Sequence, residues 1–322
     1  MGATSRAGPV DPQGSSPVSV DDIAALTGIR QEALRHLAAR VEQEYRQESR
    51  AIRGKRRTLS IPSPLLKKVQ RLIYRHVLLG LPISKWAFAG AGRGAVSNAR
   101  VHLGHTHVMI EDIENCFPNV RPQVVRQALL AYGLDSESAG LLMRLCTAFG
   151  ALPQGAPTSA RILDLVLSPI DDRLSLLAER EGFTYSRYVD DITISGDKAT
   201  DLLRDHVARA LRTVGLTLRR DKSRSFREGM AATVTGIVLA GNLRPTPAFL
   251  QHLSRELRHA ANGTSNLSLD QLRGRVAWVK QLNPSMGRSF GHYLARAARR
   301  RANVPKHREP GKRAKRVPRT HD

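Results

Sequence analysis

Two adjacent carboxylates, Asp190 and Asp191, stand between two short runs that alternate and are rich in β-branched and aromatic residues. Tyr185-Ser186-Arg187-Tyr188 precedes them, and Ile192-Thr193-Ile194-Ser195-Gly196 follows. Such runs read as two strands, with the acidic pair at the turn that joins them. Two like charges buried at a hairpin tip are costly unless something cationic compensates them. A divalent ion such as Mg²⁺ meets that need, because it takes hard oxygen ligands and few of them from protein. A solvated Asp-Asp turn is the plain alternative. The rest of the chain has to decide between them.

Upstream, Val108-Met109-Ile110-Glu111-Asp112 is an apolar strand that delivers Asp112 at its end, and Pro118 stops it. Between the acidic sites lies Leu152-Pro153-Gln154-Gly155-Ala156-Pro157, a Pro/Gly loop. A helical pattern of Ile162, Leu163, Leu165, Val166, Leu167, Ile170 and Leu174 follows it. A strand-end Asp, a Pro-Gln-Gly loop and a Tyr-x-Asp-Asp hairpin, in that order, resemble the catalytic palm of reverse transcriptases. Arg57 to Pro64 resembles the first fingers strand of that family, and Gly215 to Ser223 the later motif that carries a lysine, here Lys222. Asn98-Ala99-Arg100-Val101-His102 resembles the NAxxH signature of bacterial retron reverse transcriptases, and Val234-Thr235-Gly236 their VTG triplet. Leu272 to Pro284 resembles their thumb. The ordered series covers roughly residues 26–294.

The bulk numbers agree with a nucleic-acid partner. The chain of 322 residues has 51 Lys and Arg against 28 Asp and Glu, a formal charge of +23. That balance suits polyphosphate binding better than a merely soluble basic protein or a membrane-surface binder. The cations cluster on either side of the acidic motifs in sequence, from Arg46 to Arg75 and from Arg296 to Arg319. Two cysteines, Cys116 and Cys146, exclude a disulfide scaffold and a zinc cluster. No stretch approaches twenty apolar residues, so no membrane span is expected. The first twenty residues carry Gly, Ser and Pro without an apolar signal core, which reads as a cytoplasmic protein with a flexible leader.

The resulting expectation is an α+β fold of right-hand polymerase architecture. A leader (1–20) precedes an N-terminal helical segment (21–45), with Asp21 or Asp22 as helix cap. Fingers and palm follow (46–243), with strands at 51–62, at 108–113, at Leu216 and over 232–239. A thumb (244–297) built on helices over 247–262 and 268–282 comes next, and then a basic disordered tail (298–322). Glu111 and Glu114 read as solvated strand-end acids.

The resemblance implies an RNA-directed DNA polymerase that uses two Mg²⁺ ions and deoxynucleoside triphosphates. Its implied partners are a cognate structured non-coding RNA, the DNA copied from it, and a separate effector protein of an anti-phage system, with no membrane. Asp112 and Asp190 are then the bridging metal ligands. The Ile113 carbonyl is a further ligand, and Asp191 a weaker one. Lys222 would protonate the leaving pyrophosphate, and Phe117, five residues after Asp112, would exclude a ribose 2′-hydroxyl. Gln154 and Gly155 would shape the nucleotide pocket, and Arg57 and Arg93 would meet the triphosphate. Asn98, Arg100, His102, Val234, Thr235 and Gly236 would serve the RNA. Another prokaryotic lineage, intron-encoded or diversity-generating, and a non-catalytic RNA-binding scaffold are the competing readings. The chain departs from the usual retron pattern at Val189 (commonly Ala), Cys116 (commonly Phe) and Ala87 (commonly His), none of which removes a ligand.

Overall fold

The structure, a computed structural model, describes residues 18–52, 55–90 and 92–302. It divides into two compact units after Leu243. No helix among the described residues is long and apolar enough to cross a membrane. The leader through residue 17, Ala91 of the glycine loop and the basic residues beyond 302 lie outside the described residues.

The first unit opens with α1 (Val20–Thr27) and α2 (Gln31–Ala39). Ser19, and neither Asp21 nor Asp22, is the N-cap of α1: its hydroxyl accepts from Asp22 N while the Asp22 carboxylate accepts from Ser19 N, a reciprocal capping box. Val18 and Ser19, expected in the leader, therefore belong to this unit. Val18 N donates to Gly133 O at 2.9 Å and anchors this end. A hairpin follows, β1 (Tyr45–Ile52) against β2 (Lys55–Pro62), then α3 (Pro64–His76), which Ser63 caps and Pro64 opens. The strand expected at 51–62 is thus the second arm of a longer ribbon.

A short α4 (Ala95–Arg100) leads into the main sheet. That sheet has four antiparallel strands: β3 (His107–Asp112), β4 (Thr184–Tyr188), β5 (Asp191–Gly196) and β6 (Arg224–Phe226), in the order β4-β5-β3-β6. Between β3 and β4 run α5 (Cys116–Asn119), α6 (Pro122–Ala131), α7 (Ser136–Cys146) and α8 (Ser159–Arg180). Helix α8 is buried along nearly its whole length and shares one apolar core with α1, α2, α3, α7 and the sheet. α9 (Arg204–Arg212) covers the far end of α8.

Two expectations change here. Leu216 to Leu218 is no strand; it offers one bridge, Leu218 to Ile113, and the pairing strand is β6. Residues 232–239 are not one strand but a hairpin, β7 (Ala232–Val234) and β8 (Ile237–Ala240). The two-residue turn is Thr235-Gly236 at φ 48° and 80°, a turn with both central residues left-handed, whose twist suits hairpins. β9 (Asn242–Pro245) then carries the chain past the division.

The second unit is helical: α10 (Pro247–Ala261), α11 (Leu269–Leu282) and α12 (Pro284–Ala302). Leu253, Leu257, Leu272, Val276, Val279 and Ala297 form its own core. Helix α12 was not foreseen, and it takes up the first residues assigned to the tail. Asn283 starts it by accepting from Met286 N at 2.9 Å. Gly287 lets it lie against α11, since a Cβ there would stand 2.5 Å from Lys280 Cα.

Candidate active site

The register of the main sheet brings the acidic motifs together. Asp112, last residue of β3, pairs with Asp191, first residue of β5, and Asp191 pairs with Tyr188 across the β4–β5 hairpin. Val189 and Asp190 are therefore the two turn residues. Asp190 O accepts from Ile113 N at 2.9 Å, which ties the turn to the end of β3. On one wall of a cavity of about 650 Å³ stand Asp112, Asp190 and Asp191, with Ile110 and Phe117 beside them. Arg57, Lys222 and Arg224 supply the cations of the lining.

The electrostatics follow from burial and crowding. Burial first, then Asp190 and Asp112, push the Asp191 carboxyl up to about 6, against the pull of Lys222 and Arg224. Asp190 is also raised, chiefly by burial, with a hydrogen bond to its own backbone opposing and Asp112 adding to the rise. The Lys222 ammonium pairs with Asp112 and partly neutralises the wall. Among the described residues no three metal-ligating groups are gathered as a finished cage. The donor set still fits a hard divalent cation: three carboxylates from the ends of two neighbouring strands and the turn between β4 and β5, two of them with proton affinities raised first by burial and then by neighbouring carboxylates.

Glu111 is not solvated. It is 1% exposed and accepts from Arg204 Nε and from the Ser223 hydroxyl, both at 2.7 Å. Alternation along β3 makes this inevitable, because Asp112 faces the cavity and its neighbour must face the other way. Glu114 does stay exposed, near Thr217.

The remaining predicted residues scatter. Phe117 lines the cavity and Arg57 reaches it from β2. Arg93 does not: its Nη1 donates to the carbonyls of Ser84, Lys85 and Ala87 and so folds its own loop. Gln154 O accepts from Ser60 N at 2.8 Å. Gly155, at φ 123°, allows the close approach expected of it, but to protein: a Cβ there would sit 2.8 Å from Ser60 O. Neither is part of the cavity wall as described.

The RNA-directed reading of Asn98 and His102 is corrected by burial. Both are 0% exposed. His102 Nδ1 lies 2.7 Å from Ser195 Oγ and Nε2 2.6 Å from Ser186 Oγ. Burial, with His105 adding, pushes its imidazole down to about 3, so it is a neutral bolt between α4 and the sheet. Val234 is buried as well. Thr235 Oγ1 donates to Ala95 O at 3.1 Å, so the NAxxH and VTG strings meet at α4. Arg100 and Gly236 are exposed there, and Thr235 partly so.

Sequence reasoning missed a buried ionic cluster. Arg187, 1% exposed, contacts Asp171 and Asp164 of α8 at 2.8 and 3.1 Å. The one signal was a charged residue, Arg187, in a strand otherwise without charge.

Comparison with known proteins agrees with this geometry. Residues 44–259 match the family described as reverse transcriptase (RNA-dependent DNA polymerase). The retron Mx162 reverse transcriptase of Myxococcus xanthus is 34% identical over 277 residues, covering 74% of this chain and 57% of that one. The retron Mx65 reverse transcriptase of the same organism is 33% identical over 294 residues, covering 82% of this chain and 68% of that one. The retron Ec86 reverse transcriptase of Escherichia coli is 24% identical, and the match covers 92% of its length. The chain therefore belongs to the reverse transcriptase family, among the enzymes of bacterial retrons.

Proposed function

We propose that this chain is the RNA-directed DNA polymerase of a retron, copying a cognate structured RNA into DNA primed from an internal 2′-hydroxyl of that RNA. The observation that carries the reading is the pairing of Asp112 with Asp191 beside Asp190 on one cavity wall. In this reading the first unit provides fingers and palm and the second a thumb. The proposal includes a cytoplasmic setting, a branched RNA–DNA product and a separate effector in anti-phage defence.

Asp112, Asp190 and the Ile113 carbonyl would hold two Mg²⁺ ions, with Asp191 as outer ligand. Bound Mg²⁺ supplies charge stabilisation for the attacking hydroxyl and for the leaving oxygen of the triphosphate. The protein's own groups orient the rest. Arg57, at the cavity edge, meets triphosphate oxygens. Phe117 stacks beneath the incoming sugar. Lys222 gives its ammonium proton to the pyrophosphate oxygen as that bond breaks, and its pairing with Asp112 holds it at the site beforehand. Arg100 and Thr235, on the exposed side of α4 and its neighbouring turn, are left to contact RNA.

Primer extension by Asp190→Asn tests the assignment. Loss of one metal ligand is expected to cost about a thousandfold in rate, roughly 4 kcal/mol of barrier, while RNA affinity persists. Extension near the parental rate would refute it.

A further inference from the structure

The turn that carries Asp190 is strained. Val189 sits at φ 58°, in the left-handed region where a β-branched side chain is a rare outlier. Any rearrangement that returned Val189 to negative φ would relieve it, so the observed conformation has to be held. Two hydrogen bonds hold it. Asp190 O is taken by Ile113 N, and Val189 O accepts from Arg187 Nη1 at 2.7 Å.

The second donor is unusually well fixed. Arg187 Nε and Nη2 fork onto Asp171 at 2.9 and 2.8 Å. The Tyr185 hydroxyl donates to the same carboxylate at 2.8 Å and steadies it. Nη1 is shared between Asp164 and the Val189 carbonyl. A planar guanidinium seated by one edge on a carboxylate has its third nitrogen aimed in one direction. Here that direction is the strained residue. The backbone of Arg187 is fastened as well, with its N–H on Trp86 O at 2.9 Å and its carbonyl on Phe88 N at 2.8 Å. Buried ionic clusters are poor stabilisers compared with apolar packing, so stability is a weak reason for one under this hairpin. Geometry is a better one.

We infer that Arg187, seated on Asp171 and Asp164, is a positioning residue: it pins the Val189 carbonyl and so fixes the direction in which Asp190 presents its carboxylate. The inference rests on the reading of Asp190 as a metal ligand.

The test is binding of Mn²⁺ alone, without RNA or nucleotide, followed by the electron paramagnetic resonance of the free ion and paired with metal-free melting. Arg187→Lys keeps a cation but loses the fork, and should weaken Mn²⁺ binding about tenfold or more, as loss of a ligand's orienting partner does. In Arg187→Lys/Val189→Gly the turn no longer needs to be held. Mn²⁺ affinity should recover to within about threefold of the parent, with the melting temperature raised only by the relief of strain at Val189. A role in packing alone predicts lowered melting for both and no such recovery. Unchanged Mn²⁺ affinity in Arg187→Lys, or equal loss in both variants, overturns the inference. Should Arg187→Lys fail to fold, Asp171→Asn replaces it, leaving one guanidinium against one carboxylate. Its Mn²⁺ affinity should fall about tenfold and recover with Val189→Gly, and no fall overturns the inference. Asp190→Asn separates the two levels. If it binds Mn²⁺ like the parent, the ligand reading itself is wrong and this inference goes with it.

Discussion

Replacing Asp191 by asparagine keeps the side chain's size and removes one charge from a wall where three carboxylates crowd together. In the folded protein burial, and then Asp190 and Asp112, hold the Asp191 carboxyl up at about 6. In the unfolded chain it titrates near the ordinary value of about 4. Between those two values the native state keeps a proton that the unfolded state has lost. Stability from this group therefore falls as pH rises through that window, is level above it, and shows no penalty below it. Two pKa units at about 1.4 kcal/mol each give about 3 kcal/mol, and sharing of the titration with Asp190 brings the expected penalty to about 2–3 kcal/mol at pH 7. Melting with a chelator present, at pH 4, 5, 6 and 7, reads it out. Parent and Asp191→Asn should melt together at pH 4. The variant should then melt higher by about 4–12 °C at pH 7, at about 2–4 °C per kcal/mol for a unit of this size. Mg²⁺ should raise the parent's melting temperature and the variant's much less. Equal melting at pH 7, or a gap that widens as pH falls, would refute the reasoning.

Two further outcomes follow from single contacts. Phe117→Val opens the cavity beside Asp112 and should admit ribonucleotides; parallel incorporation of matched deoxy- and ribonucleotides measures it, and an unchanged preference makes Phe117 core packing only. Gly155→Ala forces a Cβ against Ser60 O at φ 123°, whereas Gly150→Ala at φ 70° meets open space. Chemical denaturation should show Gly155→Ala costing about 2–4 kcal/mol and Gly150→Ala about 1 kcal/mol, and equal costs would mean that the loop gives way freely.

What the chain reveals in sequence is what depends on local pattern. Alternation around Asp190 and Asp191, and the apolar run ending at Asp112, set both strands and the shared end at which the acids meet. Amphipathic pattern over 247–262 and 268–282 marked α10 and α11, which Thr246 and Ser268 cap. What stayed hidden depends on partners far along the chain. His102 reads like any polar residue until Ser186 and Ser195 arrive, 84 and 93 positions later. Asp171 reads like a helix-surface acid until β4 brings Arg187 against it. The Thr235-Gly236 turn was concealed for another reason: a threonine at positive φ breaks the usual preference for Asn or Asp there.

Three of the residues that sequence misplaced or missed share one property, and it bears on how the site is built. Glu111, Arg187 and His102 are buried polar groups whose hydrogen bonds run to segments that carry active-site candidates. Glu111 holds Ser223, the neighbour of Lys222. Arg187 holds Val189, the neighbour of Asp190. His102 holds Ser186 on β4 and Ser195 on β5, on both arms of the acidic hairpin. A carboxylate wall repels itself, and the backbone beneath it would relax if it were free to. Apolar packing resists such relaxation only loosely in direction, whereas a satisfied hydrogen bond fixes both distance and angle. Placing these polar bolts one residue from Asp190 and Lys222, and across the strands that flank Asp190, lets the sheet hold charges where their own repulsion would not leave them.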